Sequence, residues 1–170
     1  PIVTNQSTTI AIDHIAKKHG SSVLRSAVGE INVVNKMKES NALLGGEGNG
    51  GIILAESHYG RDSLVGVALF LHRMAQTDKT VKSIFKSMPQ YSMIKDKIEL
   101  GALHPKIAIE KITTAFNDAS INRIDGIKML WDDSWVHIRQ SNTEPIIRIY
   151  AEAASRSQAE KLVEKVKSSL

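Results

Sequence analysis

The chain contains no cysteine, which excludes a disulfide framework and any thiolate metal site. Aromatic residues are few, with two Trp, three Tyr and three Phe among 170 residues, and the lysines are spread among glutamates. A basic stripe interleaved with aromatics is therefore missing, and the expectation is no nucleic-acid partner. No apolar run approaches the ~20 residues that cross a bilayer. Pro1-Ile2-Val3-Thr4 also lacks the basic and small-residue flanks of a signal peptide. A cytoplasmic chain with no membrane partner is expected. Neither an internal repeat nor a low-complexity segment is present. What remains is an ordinary globular composition, 42% hydrophobic and 24% charged, on a length that suits one domain or two small ones. The mild net charge of +4 suits a small anionic ligand.

The first half alternates strand and helix patterns. Ile2-Val3-Thr4 reads as a strand that begins abruptly at Pro1. A helix over 8–19 carries Ile12, Ile15 and Ala16 at helical spacing and ends at Gly20, which can take the left-handed cap. Ser22-Val23-Leu24 is a second strand, Val28-Gly29-Glu30 turns into a helix bearing Ile31, Val34 and Met37, and Ala42-Leu43-Leu44 is a third strand. A glycine-rich loop over 45–51 leads to Ile52-Ile53-Leu54. Asp62 or Ser63 caps the next helix, which is apolar nearly all round from Leu64 to Leu71 and so is expected to be buried on most sides. A short helix over 81–85 precedes the linker Ser87-Met88-Pro89-Gln90. This order predicts an α/β three-layer domain over 1–86, incomplete at its N-terminus.

Residues 87–170 change pattern. Strands are expected over 91–100, 127–131, 135–139 and 146–153. One helix opens at His104-Pro105, and another at the capping box Ser155-Arg156-Ser157-Gln158. The expectation is a small α+β domain with a four-stranded antiparallel sheet and two helices, the second face of the sheet being open.

Arg139-Gln140-Ser141-Asn142-Thr143-Glu144-Pro145-Ile146-Ile147-Arg148 joins two of those strands and has the composition of a phosphate cradle. A dianion is held by guanidinium forks, hydroxyls and backbone N–H groups in a turn. With Val136 and Ile138 pointing into a core, alternation sends Arg139 and Ser141 to the other face, and Arg148 is outward by the same count. From composition alone, a polar hairpin turn with two surface arginines is an equal reading. In Gly46-Glu47-Gly48-Asn49-Gly50-Gly51, one carboxylate sits among glycines that let a backbone approach a ligand closely. A flexible turn with an incidental glutamate is the alternative.

Together these two loops, in this order, resemble the α-D-phosphohexomutase superfamily of phosphoglucomutases, phosphomannomutases and phosphoglucosamine mutases. The resemblance covers essentially the whole chain and is to the third and fourth of the family's four domains. It implies that Arg139, Ser141, Asn142, Thr143 and Arg148 hold a phosphate. It also implies that Glu47 and Asn49 hold the sugar, Glu47 through its hydroxyls, with Glu30 a further candidate for which an ordinary helix-start acid is an equal reading. Asn49 stands where many members have serine, and Gly51 where many have histidine. The implied activity of the full enzyme is reversible phosphoryl transfer between C1 and C6 of a hexose, through a hexose bisphosphate, with Mg2+. The phosphoserine and magnesium loops would lie in missing N-terminal domains 1 and 2, so the fragment alone is expected to be inactive and to carry no catalytic residue. Phosphoglucosamine or phosphomannose is the preferred substrate. Ser57-His58 resembles the serine loop, but it follows the sugar loop and has no positioned base or metal beside it. Asp132-Asp133 reads as a turn. The alternative to the whole reading is a standalone, non-catalytic sugar-phosphate-binding module.

Overall fold

The computed structural model describes every residue except Ala102, Leu103, Asn142 and Thr143. The chain divides into two compact units, Pro1–Gln90 and Tyr91–Leu170.

In the first unit the elements run β1 (Ile2–Asn5), α1 (Ala11–Lys18), β2 (Val23–Ser26), α2 (Glu30–Ser40), β3 (Leu44–Glu47), β4 (Gly51–Leu54), α3 (Ser63–Thr77) and α4 (Val81–Lys86). The sheet order is β2-β1-β3-β4. β1 pairs in parallel with β2 and β3, and β4 returns antiparallel to β3 as a hairpin. The chain steps from β1 to β2 and then back across β1 to β3. Right-handed crossovers therefore place α1 and α2 on opposite faces, giving three layers. Beneath α2, Val33, Val34 and Met37 pack on Val3, Ala42 and Ile53.

Two local expectations change. The loop after β3 is only Gly48–Gly50, because Gly45 and Gly46 belong to β3. A side chain at Gly45 would overlap Met37 of α2, and one at Gly46 would overlap the Gly51 carbonyl oxygen across the hairpin. Close packing, more than flexibility, accounts for these glycines. Helix α3 has no buried residue, against the expectation of burial on most sides. Leu64 is 79% exposed and Leu71 56%, because α3 packs mainly on β4, at the sheet edge.

The second unit runs β5 (Ser92–Glu99), α5 (Pro105–Thr114), β6 (Ser120–Asn122), β7 (Ile127–Leu130), β8 (Trp135–Gln140), β9 (Ile146–Ala153) and α6 (Arg156–Ser168). Its antiparallel sheet has five strands in the order β5-β9-β8-β7-β6, which corrects the four expected. The extra strand, β6, is three residues long, with Ser120 and Ile121 exposed. An edge strand this short and polar has no apolar alternation to announce it, and pairing with β7 defines it. Phe116, Met129, Val136, Ile138, Ile147, Ile149 and Val163 fill the core beneath α5 and α6. The opposite face is not open at its centre, since Trp135 and His137 are fully buried and Lys128 and Glu152 nearly so. With Tyr150, that face carries more aromatic surface than the sequence reading allowed.

Candidate functional sites

The first site lies at the carboxyl ends of the parallel strands, beside the switch in strand order between β1 and β3, where open α/β sheets bind ligands. Glu47 ends β3 and is buried. Its Oε1 accepts from Asn5 Nδ2 at the end of β1 (2.8 Å) and from the backbone N–H of Gly29 (3.0 Å). Asn5 Oδ1 accepts from Thr8 Oγ1 (2.9 Å), and Thr8 Oγ1 accepts from the N–H of Gly48 (2.9 Å). Arg25 holds the intervening loop by donating to the carbonyls of Asn5 (3.1 Å), Thr8 (2.6 Å) and Thr9 (3.2 Å) while pairing with Asp13. Three loops are thus joined through one carboxylate oxygen. Among the described residues, none donates to Glu47 Oε2.

Glu30, the first residue of α2, is engaged differently. Its Oε1 accepts from the backbone N–H of Arg61 and its Oε2 from Arg61 Nε, each at 2.9 Å. These bonds hold the Glu30 carboxyl below the usual carboxylate range. Asn49 is exposed at the hairpin tip. Together with Glu30, Gly50, Gly51, Arg61 and Ser63 it lines a cavity of about 350 Å³. Asp62 caps α3 through the N–H groups of Leu64 (2.8 Å) and Val65 (3.1 Å) and also meets His58 Nε2 (3.1 Å). These backbone and histidine contacts lower the Asp62 pKa. The His58 ring therefore serves the helix cap.

The second site is built on β8 and β9. Arg139 and Arg148 are direct cross-strand partners, pointing away from the core residues Ile138, Ile147 and Ile149. Like charges placed opposite one another in this way are destabilising unless an anion lies between or beside them. Asp125 Oδ2 stands 3.7 Å from Arg139 Nε, and Glu144 Oε2 accepts from Arg148 Nη2 at 3.2 Å. Arg139 Nε is buried, and among the described residues none accepts a hydrogen bond from it. Gly126, at φ +61°, lets the turn carrying Asp125 press against the Arg139 backbone, where a Cβ would approach Arg139 Cα to 2.9 Å. Ser141 is buried, and its N–H donates to the Ile146 carbonyl (3.0 Å) across the base of the loop. Arg148 and Glu144 also line a cavity of about 390 Å³ with Lys95, Lys97 and Tyr150. The expectations for Asn142 and Thr143 fall outside the described residues.

Beneath this site His137 Nε2 donates to the Asp125 carbonyl (2.6 Å). Burial pushes its pKa down to about 4, against the smaller upward pull of that hydrogen bond. Lys128 Nζ lies 4.1 Å from the centre of the Trp135 ring, and Trp135 Nε1 donates to Glu152 Oε2 (2.7 Å).

The sequence reading missed Asn5, Thr8 and Asp125. For the first two a signal existed in the polar run Asn5-Gln6-Ser7-Thr8-Thr9 directly after an apolar strand. Asp125 had none, because only the fold of the β6–β7 turn brings it to Arg139. Among the described residues, no three His, Asp or Glu side chains converge to hold a metal ion. No helix there is long and apolar enough to cross a membrane.

Residues 1–91 match the family model for the phosphoglucomutase/phosphomannomutase α/β/α domain III, and residues 97–169 match that for the phosphoglucomutase/phosphomannomutase C-terminal domain. A phosphoglucomutase/phosphomannomutase of Thermococcus kodakarensis is 34% identical over 164 residues, which are 96% of this chain and 36% of that protein. A phosphoglucosamine/phosphogalactosamine mutase of Sulfurisphaera tokodaii is 33% identical over 172 residues, 98% of this chain and 37% of that protein. Among solved structures, a phosphoglucomutase/phosphomannomutase family protein from Burkholderia thailandensis superposes with a TM-score of 0.81 at 22% identity, covering 99% of this chain and 36% of that one. Aspergillus fumigatus N-acetylphosphoglucosamine mutase, solved with GlcNAc-6P and magnesium, gives 0.70 at 17% identity, covering 99% and 40%. At those identities the likeness is one of fold. The chain spans little more than a third of the length of its curated relatives.

Proposed function

Because this chain belongs to the phosphoglucomutase/phosphomannomutase family through its domain III and its C-terminal domain, we propose that it is the sugar- and phosphate-holding part of a phosphohexomutase. Such an enzyme moves a phosphoryl group reversibly between C1 and C6 of a hexose through a bisphosphorylated intermediate. On this reading residues 1–86 hold the sugar and residues 87–170 hold the phosphate not undergoing transfer. Glucosamine and mannose phosphates are the preferred substrates. The nucleophile and a magnesium site belong to the additional length that the relatives possess. On this reading the work of residues 1–170 is to bind and orient.

One observation carries the reading: the cross-strand pair Arg139 and Arg148, with a buried Nε on Arg139 that has no hydrogen-bond acceptor among the described residues. Two arginines at directly paired strand positions, with Ser141 at the loop base, recognise on this reading a phosphate dianion without regard to which end of the sugar bears it. That indifference is what a bisphosphate needs if it turns over between transfers. Asn142 and Thr143 complete the proposed ligand set. In the first unit the buried network fixes Glu47 so that Oε2 can accept from two neighbouring sugar hydroxyls, with Asn49 and Glu30 beside the same loop.

Two measurements test this. Mutase turnover of glucose 1-phosphate, mannose 1-phosphate or glucosamine 1-phosphate with magnesium is expected to be nil for this chain alone, and clear turnover would overturn the fragment reading. Isothermal titration with inorganic phosphate and with a hexose bisphosphate is expected to show weak binding that Arg139→Met weakens further. Tight binding of the bisphosphate by the isolated chain would instead favour a standalone binding module.

A further inference from the structure

Arg61 is held on two sides and open on a third. Glu30 takes both its backbone N–H and its Nε. Its aliphatic stem lies on Gly51, where any side chain would overlap Arg61 Cδ and come within 2.8 Å of its Cγ. Gly51 is thus the residue that lets Arg61 fold down on the hairpin. Among the described residues, none bonds to the two Nη groups, and the side chain is 48% exposed. It lines the cavity shared with Asn49, Gly50 and Ser63. Both carboxylates there are committed, Glu30 to Arg61 and Asp62 to the α3 cap and His58. The remaining polar side chains that line that space are Arg61, Asn49 and Ser63.

A guanidinium whose Nε is already paired keeps its Nη edge oriented, so little further side-chain freedom is lost when that edge meets a ligand. Its partners would be oxygen acceptors. A sugar hydroxyl that donates to a carboxylate keeps its lone pairs for such a donor.

We propose that Arg61 is a further binding residue of the sugar site, its Nη edge donating to ring-hydroxyl oxygens of a hexose phosphate, and that Glu30 is a positioning residue acting through it. The proposal rests on the reading of residues 46–51 as the sugar loop.

The test is a titration of glucose 1-phosphate into the 170-residue chain, followed by the amide proton and nitrogen shifts of residues 46–51. Wild type, Arg61→Gln, Arg61→Lys, Glu30→Gln and Glu47→Gln are compared. Wild-type shifts are expected to saturate. Arg61→Gln is expected to weaken apparent binding by about tenfold or more, the loss that follows removal of a charged donor. The amides of residues 46–51 in the ligand-free variant should stay where they are in wild type. Arg61→Lys should recover part of the affinity, and Glu30→Gln should lose less than Arg61→Gln. Unchanged affinity in Arg61→Gln overturns the proposal, as does displacement of the loop amides in the ligand-free variant, which would make Arg61 a prop for the hairpin. If Arg61→Gln binds normally while Glu47→Gln does not, the sugar-loop reading survives and the Arg61 proposal alone falls. Absence of any wild-type response at residues 46–51 removes both.

Discussion

Arg139 is the residue on which the phosphate reading turns. A hydrogen bond to a charged group contributes about 1.5–3 kcal/mol. Arg139→Met is therefore expected to weaken phosphate binding by about tenfold or more, and Ser141→Ala by less; calorimetry on the two variants checks the order. Folding stability should not fall in step, because the buried wild-type Nε has no hydrogen-bond acceptor among the described residues and Arg139 stands opposite a like charge, Arg148, on the neighbouring strand. His137 governs a different property. Its pKa is about 4 in the fold and about 6.5 in the unfolded chain. Between those values the unfolded state binds more protons, so stability is full above about pH 6.5 and is lost as the pH falls toward 4. From pH 7 to pH 5 the expected loss is about 2 kcal/mol, read by denaturant unfolding at each pH, and His137→Gln should flatten that slope. Thr4 offers a gain. Its hydroxyl is buried in β1 with no hydrogen-bond partner among the described residues, so Thr4→Val, which keeps the shape, should leave stability unchanged or raise it by about 1 kcal/mol. A lower midpoint in thermal unfolding would contradict this.

At the scale of elements, the β3–β4 hairpin tests the claim that its glycines are there for close approach. A methyl at Gly46 meets the Gly51 backbone carbonyl, whereas one at Gly45 meets the flexible Met37 side chain. Gly46→Ala should therefore cost more than Gly45→Ala, with overpacking of this kind costing about 1–3 kcal/mol. Thermal unfolding of the two variants ranks them. The cap of α6 is simpler: Ser155 Oγ accepts from the Gln158 N–H at 3.3 Å, and Ser155→Ala should cost about 1 kcal/mol. That cap was legible in the sequence because capping is local chemistry written in four consecutive residues. The three-layer order of the first unit and the outward aim of Arg139 and Arg148 were legible for a similar reason, since periodicity and alternation are local. What escaped depends on contacts distant in sequence. β6 exists through its pairing with β7. The exposure of α3 depends on which strand it meets, which its apolar composition does not encode. Gly45 and Gly46 looked like loop because their packing partners, Met37 and Gly51, cannot be assigned to them from spacing. Glu47 was singled out as a candidate by its type, but its anchoring by Asn5 and Gly29 depends on segments distant in sequence being brought together.

For the molecule as a whole, the proposed function gives each unit its own kind of grip: a buried carboxylate at the end of a parallel sheet in the first, and a cross-strand pair of arginines on an antiparallel sheet in the second. The net charge of +4 adds only a mild general attraction for anions, which salt screens. Specific binding should appear instead as ligand-dependent stabilisation. The most direct test is a titration of glucose 1,6-bisphosphate into the 170-residue chain, followed residue by residue through amide shifts. Saturable changes are expected at both 46–51 and 139–148, with the second set weakened in Arg139→Met. Changes scattered over the lysine-bearing surface, with neither loop responding, would contradict the proposed function.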